Sequence, residues 1–255
     1  TGFVLYAILT EESIGRLFMA GILPGLLMTA LFMAAIWLTV LRKPKAGRPG
    51  DPMAFSDRLR ILIAALPLIA VMVLSIGGIY AGVFTPVEAS AIGAGLVILI
   101  ALATGALTLK TFTGAVLETV QTSAMLYMIV IGANVLNPLL AVTKLPVAFS
   151  DLLTVLGFGP YGTLFLILMC YVVLGMFLDG LAMLVITLPI FFPIVLQQGF
   201  DPIWFGVVAV IVIEMGMITP PVGLNVFVIR SVARDVPMAT IFKGVAPFLL
   251  AMILC

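Results

Sequence analysis

Histidine is absent from the 255 residues, and only 9% are Asp, Glu, Lys or Arg, about a third of the charge a soluble domain carries. The missing imidazole removes Ser-His-Asp and Cys-His catalysis, H-E-x-x-H zinc sites and histidine proton relays. Cys170 and Cys255 each stand alone in apolar surroundings, so neither a metal pair nor a disulfide is offered. Twelve basic and eleven acidic residues leave a net charge of +1, without the basic footprint of a nucleic-acid binder. These absences argue against an enzyme and against a nucleic-acid partner. What fills the chain is apolar, 64% of it, the composition of an all-α polytopic protein in a lipid bilayer.

Apolar stretches bounded by turn or charge signals can be set against the roughly 20 residues a crossing helix needs. They run over about Ile14–Leu41, Ile61–Gly82, Val87–Ala103 and Thr113–Val142, then Tyr161–Leu196 with an interruption at Gly175–Gly180. Another, Pro202–Ile229, is interrupted at Gly216–Gly223, and a last one begins near Met238. Six of the twelve basic residues (Arg42, Lys43, Lys45, Arg48, Arg58 and Arg60) fall in one linker, which the positive-inside rule makes cytoplasmic. Alternating from there, Arg230, Arg234 and Lys243 reach the same side only if 161–196 goes in and returns, as a re-entrant hairpin or as two short spans. Thr1 is not an initiator methionine and Cys255 ends an apolar run begun at Val245, so the sequence reads as a piece of a longer chain.

Glu12-x8-Gly21-x-x-Pro24 recurs as Asp235-x8-Gly244-x-x-Pro247, an offset of 223 residues, and Leu26, Leu27 and Leu31 meet Leu249, Leu250 and Leu254 at the same offset. One copy enters from outside and the other from inside, an inverted arrangement typical of secondary transporters. A matching proline break is then expected just upstream of Thr1.

In hydrocarbon, irregular backbone persists only where protein, water or ligand satisfies it. Pro220 and Pro221 each remove a donor, and unwinding around Thr219 exposes carbonyls near Gly216 and Ile218. The N-terminus of a second half-helix then lies at Val222 to Asn225. Carbonyls with the Thr219 hydroxyl suit a hard cation, and the N-terminal N–H groups suit a carboxylate. A plain kink, or a surface loop, is the competing reading. The Gly175–Gly180 break follows the same logic, against an ordinary turn with Asp179 in water. Among the other carboxylates, Glu88 is either an intramembrane acid or the first-turn acid of its helix, Glu118 begins a helix at the interface, and Glu214 is a candidate proton or cation partner. The fourteen methionines are read as packing.

The segments Phe84-Thr85-Pro86-Val87-Glu88-Ala89, Gly175-Met176-Phe177-Leu178-Asp179-Gly180 and Gly216-Met217-Ile218-Thr219-Pro220-Pro221-Val222-Gly223-Leu224-Asn225-Val226-Phe227 resemble the signatures of the large membrane subunit of tripartite ATP-independent periplasmic (TRAP) transporters. The opening Glu11 to Gly25 is similar to a segment from the middle of that subunit. Val87 stands where a second threonine is expected. The resemblance implies an elevator-type ion transporter fold with inverted repeats, a re-entrant hairpin at about 161–196 and a broken helix at about 202–231. It divides the chain into 1–60 (end of the first repeat and cytoplasmic linker), 61–112 (scaffold helices) and 113–255 (second-repeat transport unit).

By function it implies a sodium-coupled importer of organic acid anions, such as C4-dicarboxylates or sialic acid, in a bacterial inner membrane. A periplasmic binding protein and a small membrane subunit would be its partners. It also implies a Na+ site from Gly175, Gly216, Thr219 and Val222, with Asp179 and Asn225 orienting the tip or facing substrate. The first hairpin and its sodium site would lie outside these residues, a little over half of such a subunit. Competing readings are a sodium- or proton-coupled carrier without a binding protein, an intramembrane aspartyl protease, for which only Asp179 qualifies by position, and a passive channel.

Overall fold

The computed structural model describes residues 2–44, 47, 54–144, 147–148, 157–234 and 236–255, without the side chains of 133, 136, 137, 140 and 141. Asp235 of the repeat and Asn137 therefore lie outside the described side chains. Among the described residues there is no strand. The helices are α1 (Gly2–Thr10), α2 (Ile14–Arg42), α3 (Phe55–Tyr80), α4 (Pro86–Ala103), α5 (Leu109–Thr143), α6 (Pro160–Gly175), α7 (Gly180–Gln197), α8 (Pro202–Ile218), α9 (Leu224–Val232) and α10 (Met238–Leu254). By length and composition α2, α3, α4, residues Leu109–Gly132 of α5, and α7 can each cross a membrane, so the expected all-α polytopic class holds.

Local chemistry sets the boundaries. Ser13 accepts from the Arg16 N–H at the start of α2, and Asp201 from the Trp204 N–H at 2.8 Å at the start of α8, where Pro202 needs no donor. The helix α8 ends at Ile218 because Pro220 holds Thr219 in an extended conformation, φ −86° and ψ 136°. The helix α3 starts at Phe55, ahead of the apolar run that begins at Ile61. Asp57, Arg58 and Arg60 are adequate helix formers, so the apolar edge marks where the membrane surface begins and not where the helix does.

The contacts form two compact units, Thr1–Pro44 with Met128–Cys255, and Lys45–Tyr127. In the smaller unit α3 and α4 pack together, and Gly93 makes room for Ser75, since a Cβ there would stand 2.9 Å from the serine hydroxyl. In the larger unit α8 is the central rod, touching α1, α2, α6, α7, α9 and α10. Its core is aromatic: Tyr6 and Tyr171 both pack on Phe205, Tyr6 also meets Phe192 and Tyr171 meets Phe191. Half of the apolar window of α7 is buried, against 6% in α2, so burial concentrates in the hairpin and the helix that follows it.

An offset of 223 residues sets α10 against the first part of α2, with Pro247 and Pro24 both inside their helices. The two long copies touch each other. Phe32 of α2 meets Phe248 of α10 edge to face at 5.3 Å. The Cys255 thiol lies 3.5 Å from the Pro24 carbonyl, so the two helices run antiparallel.

Candidate functional site

The helices α6 and α7 form a hairpin whose turn, Met176 to Asp179, sits against the break between α8 and α9. Asp179 caps α7, its carboxylate accepting from the Leu181 N–H at 3.0 Å and the Ala182 N–H at 3.5 Å. Phe177 and Leu178 close the turn by donating to the Leu174 carbonyl at 3.0 and 2.9 Å.

At the break, the Thr219 N–H donates to the Gly216 carbonyl at 3.0 Å, and its hydroxyl donates to the Met215 carbonyl at 2.6 Å. The Pro220–Pro221 peptide is cis, and Gly223 follows with φ +60°. A side chain at Gly223 would bring a Cβ to 3.1 Å from the Thr219 carbonyl oxygen, so both the backbone conformation and the space call for glycine. The N–H groups of Val226 and Phe227 then return to the Gly223 carbonyl at 2.9 and 3.2 Å and start α9.

Two contacts join tip and break. The Gly223 N–H donates to the Met176 carbonyl at 3.2 Å. Gly175 and Gly216 meet backbone to backbone: a Cβ on Gly216 would lie 2.9 Å from the Gly175 Cα and 3.1 Å from the Val172 carbonyl. Gly175, Gly216 and Gly223 are buried, Thr219 and Val222 are half-buried, and Asp179 and Asn225 are exposed. The structure thus brings Gly175, Gly216 and Thr219 into one cluster, with Val222 beside the Gly223 link, while Asn225 stands in the first turn of α9.

The donor set is made of neutral oxygens. The Gly216 carbonyl accepts one N–H and keeps a second lone pair, and the Thr219 hydroxyl spends its hydrogen on Met215 and keeps its lone pairs. That chemistry suits a hard monovalent cation. Among the described residues no group of three or more His, Cys, Asp or Glu side chains comes together.

A cavity of about 240 Å³ lies beside the hairpin, lined by Asp179, Gly180, Glu214, Met217, Val210 and Gly2 among others. It unites two carboxylates that the sequence left on separate segments. A larger apolar cavity, about 830 Å³, runs along α8 from Asp201 and Trp204 to Thr219. Glu88 belongs to neither: it accepts from the Thr85 N–H and hydroxyl, both at 2.8 Å, and Thr85 accepts from the Glu88 N–H, a complete capping box. Glu118 is exposed on α5, well past the first turn. Sequence reasoning missed the Met176–Gly223 bond and the wall contributed by α1. The glycine just after Pro220-Pro221 was the available signal for the first.

The whole chain, residues 1–255, matches the family model described as the tripartite ATP-independent periplasmic transporter, DctM component. It is 34% identical over 98% of its length to the C4-dicarboxylate TRAP transporter large permease protein DctM of Pseudomonas aeruginosa, covering 58% of that protein. To the sialic acid TRAP transporter large permease protein SiaM of Vibrio cholerae it is 33% identical over 96% of its length, covering 57%. To the C4-dicarboxylate large permease DctM of Vibrio cholerae it is 33% identical over 98%, covering 59%. The chain therefore spans somewhat more than half the length of these relatives.

Proposed function

This chain belongs to the DctM-component family of tripartite ATP-independent periplasmic transporters, and from that premise we propose that it forms the second-repeat half of a sodium-coupled permease importing organic acid anions. The observation that carries this reading is the junction of hairpin tip and helix break, where Gly175, Gly216 and the Gly223–Met176 bond join two interrupted helices through backbone alone. In this reading the carbonyls of Gly175, Gly216 and Val222, with an oxygen of Thr219, hold Na+. Asp179 and Asn225 stand toward the substrate, a C4-dicarboxylate or sialic-acid-like anion. No bond of the substrate is made or broken.

Coupling follows from differential affinity. A cation among those carbonyls favours the joined tip and break, and the joined form is also the one that shapes the substrate cavity, so each ligand raises the affinity for the other. The complete assembly includes a small membrane subunit and a periplasmic binding protein that delivers the anion, and it works in a bacterial inner membrane. A histidine-free chain suits this task, because backbone oxygens and not proton relays do the work.

The test is uptake into proteoliposomes by the full-length permease with its small subunit and binding protein, using labelled succinate and N-acetylneuraminate. Uptake that follows an imposed sodium gradient and requires the binding protein supports the reading. Uptake driven equally by a proton gradient in sodium-free medium, or independent of the binding protein, overturns it in favour of a different carrier type.

A further inference from the structure

Pro202, Gly206 and Val210 recur every fourth residue and so share one face of α8. Against that face lies α1, antiparallel. The Tyr6 hydroxyl donates to the Pro202 carbonyl at 2.6 Å. Its ring fills the space at Gly206, where a Cβ would come within 2.6 Å of the Tyr6 ring and 2.8 Å of Leu17. One turn back on α1, Gly2 rests on Val210, its absent Cβ 3.3 Å from both Val210 methyl carbons. Glycine at 206 is what allows the phenol to reach a carbonyl one turn below, since any side chain there would occupy the ring's place.

Tyr6 is fully buried and held on two sides by the Phe192 and Phe205 rings. The hydroxyl has one fixed acceptor, so sliding α1 along α8 would strand a buried donor. Beyond Gly2 the same face of α8 continues into Ile213, Glu214 and Met217, which with Gly2, Asp179 and Gly180 line the cavity of about 240 Å³. The Tyr6–Pro202 bond is therefore a register pin two turns away from a cavity wall.

We propose that Tyr6 is a positioning residue: by locking α1 to the first turn of α8 it sets where Gly2 lines the cavity shared by Asp179 and Glu214. The proposal rests on the reading of that cavity as the substrate side of a carrier, but the lock itself is measurable without transport. A Cβ on Gly2 would lie 3.9 Å from the Val210 Cβ, within the roughly 3.5–4.5 Å that a disulfide needs. The pair Gly2→Cys and Val210→Cys therefore reports the register directly.

The experiment places that pair in the full-length permease with its other cysteines, including Cys170 and Cys255, replaced, and measures the rate of disulfide formation under mild oxidation. Tyr6→Phe keeps the ring and removes only the hydroxyl. It should slow cross-linking by about threefold or more, the weight of one hydrogen bond of ordinary net strength, with the melting temperature nearly unchanged. Gly206→Ala, which pushes the ring out of its seat, should slow it further. Without the cysteine pair, Tyr6→Phe should raise the KM for labelled succinate or N-acetylneuraminate while the maximal rate stays close to wild type. An unchanged cross-linking rate in Tyr6→Phe overturns the lock, as does a lowered maximal rate with unchanged KM. If the parent permease takes up neither anion, the carrier reading fails and the cross-linking rate alone decides the role of Tyr6.

Discussion

Gly175 and Gly216 face each other with no room for a side chain on either: a Cβ on Gly175 would lie 3.0 Å from the Gly216 Cα, and one on Gly216 2.9 Å from the Gly175 Cα. Because the obstacle on both sides is backbone, neither neighbour can rotate away. Gly216→Ala should destabilise the full-length permease by about 1–3 kcal/mol, the usual consequence of overpacking, and sharply reduce uptake. Gly175→Leu should abolish transport. Thermal melts and uptake assays check both, and wild-type uptake by Gly175→Leu would show that the break is only a turn.

Thr219 presents the one side-chain oxygen at the break, with its hydrogen already committed to Met215. Thr219→Val retains the shape and removes that oxygen. The lost hydrogen bond carries a net stability of only about 1 kcal/mol, so membrane insertion should persist while apparent sodium affinity falls. A sodium titration of uptake rate is the measurement, and an unaltered sodium dependence would count against Thr219 as a ligand.

Asp179 caps α7 and also lines the small cavity. Asparagine caps a helix about as well as aspartate, whereas alanine loses about 1 kcal/mol. Asp179→Asn should therefore melt like wild type yet change the KM for the transported anion, and Asp179→Ala should show both defects. Identical KM values for wild type and Asp179→Asn would confine this residue to capping.

Glu88 and Thr85 satisfy one another at the start of α4. Thr85→Ala should lower stability by about 1 kcal/mol and leave the sodium dependence of uptake where it was. Glu88→Gln, which can still accept from the Thr85 N–H, should be milder. A loss of sodium coupling in Glu88→Gln at preserved stability would return this carboxylate to the transport path.

Much of the local architecture was legible before any tertiary contact. The prolines at 220 and 221 and the glycines at 175 and 180 mark the two interruptions, and the helices stop and restart there. The Thr85-x-x-Glu88 spacing held the capping box, but composition alone left Glu88 between a cap and an intramembrane acid. Hydrogen bonds decided for the cap. The repeat offset was visible as a sparse match, and the segments it pairs, α2 and α10, touch through Phe32–Phe248 and Cys255–Pro24.

The sequence by itself determined the membrane class, the order of spans and the places where helices break, because each follows from chain-local physics: hydrocarbon tolerates apolar helices, and proline withholds a donor. Only the tertiary structure decided which atoms those breaks bring together. The helices α6, α7 and α8 are apolar nearly all round, with single polar residues such as Glu214 and no polar stripe, so no periodicity announces which side turns toward which neighbour. That Gly175 opposes Gly216, that Gly223 reaches Met176 and that Tyr6 finds Pro202 are consequences of packing between segments distant in sequence.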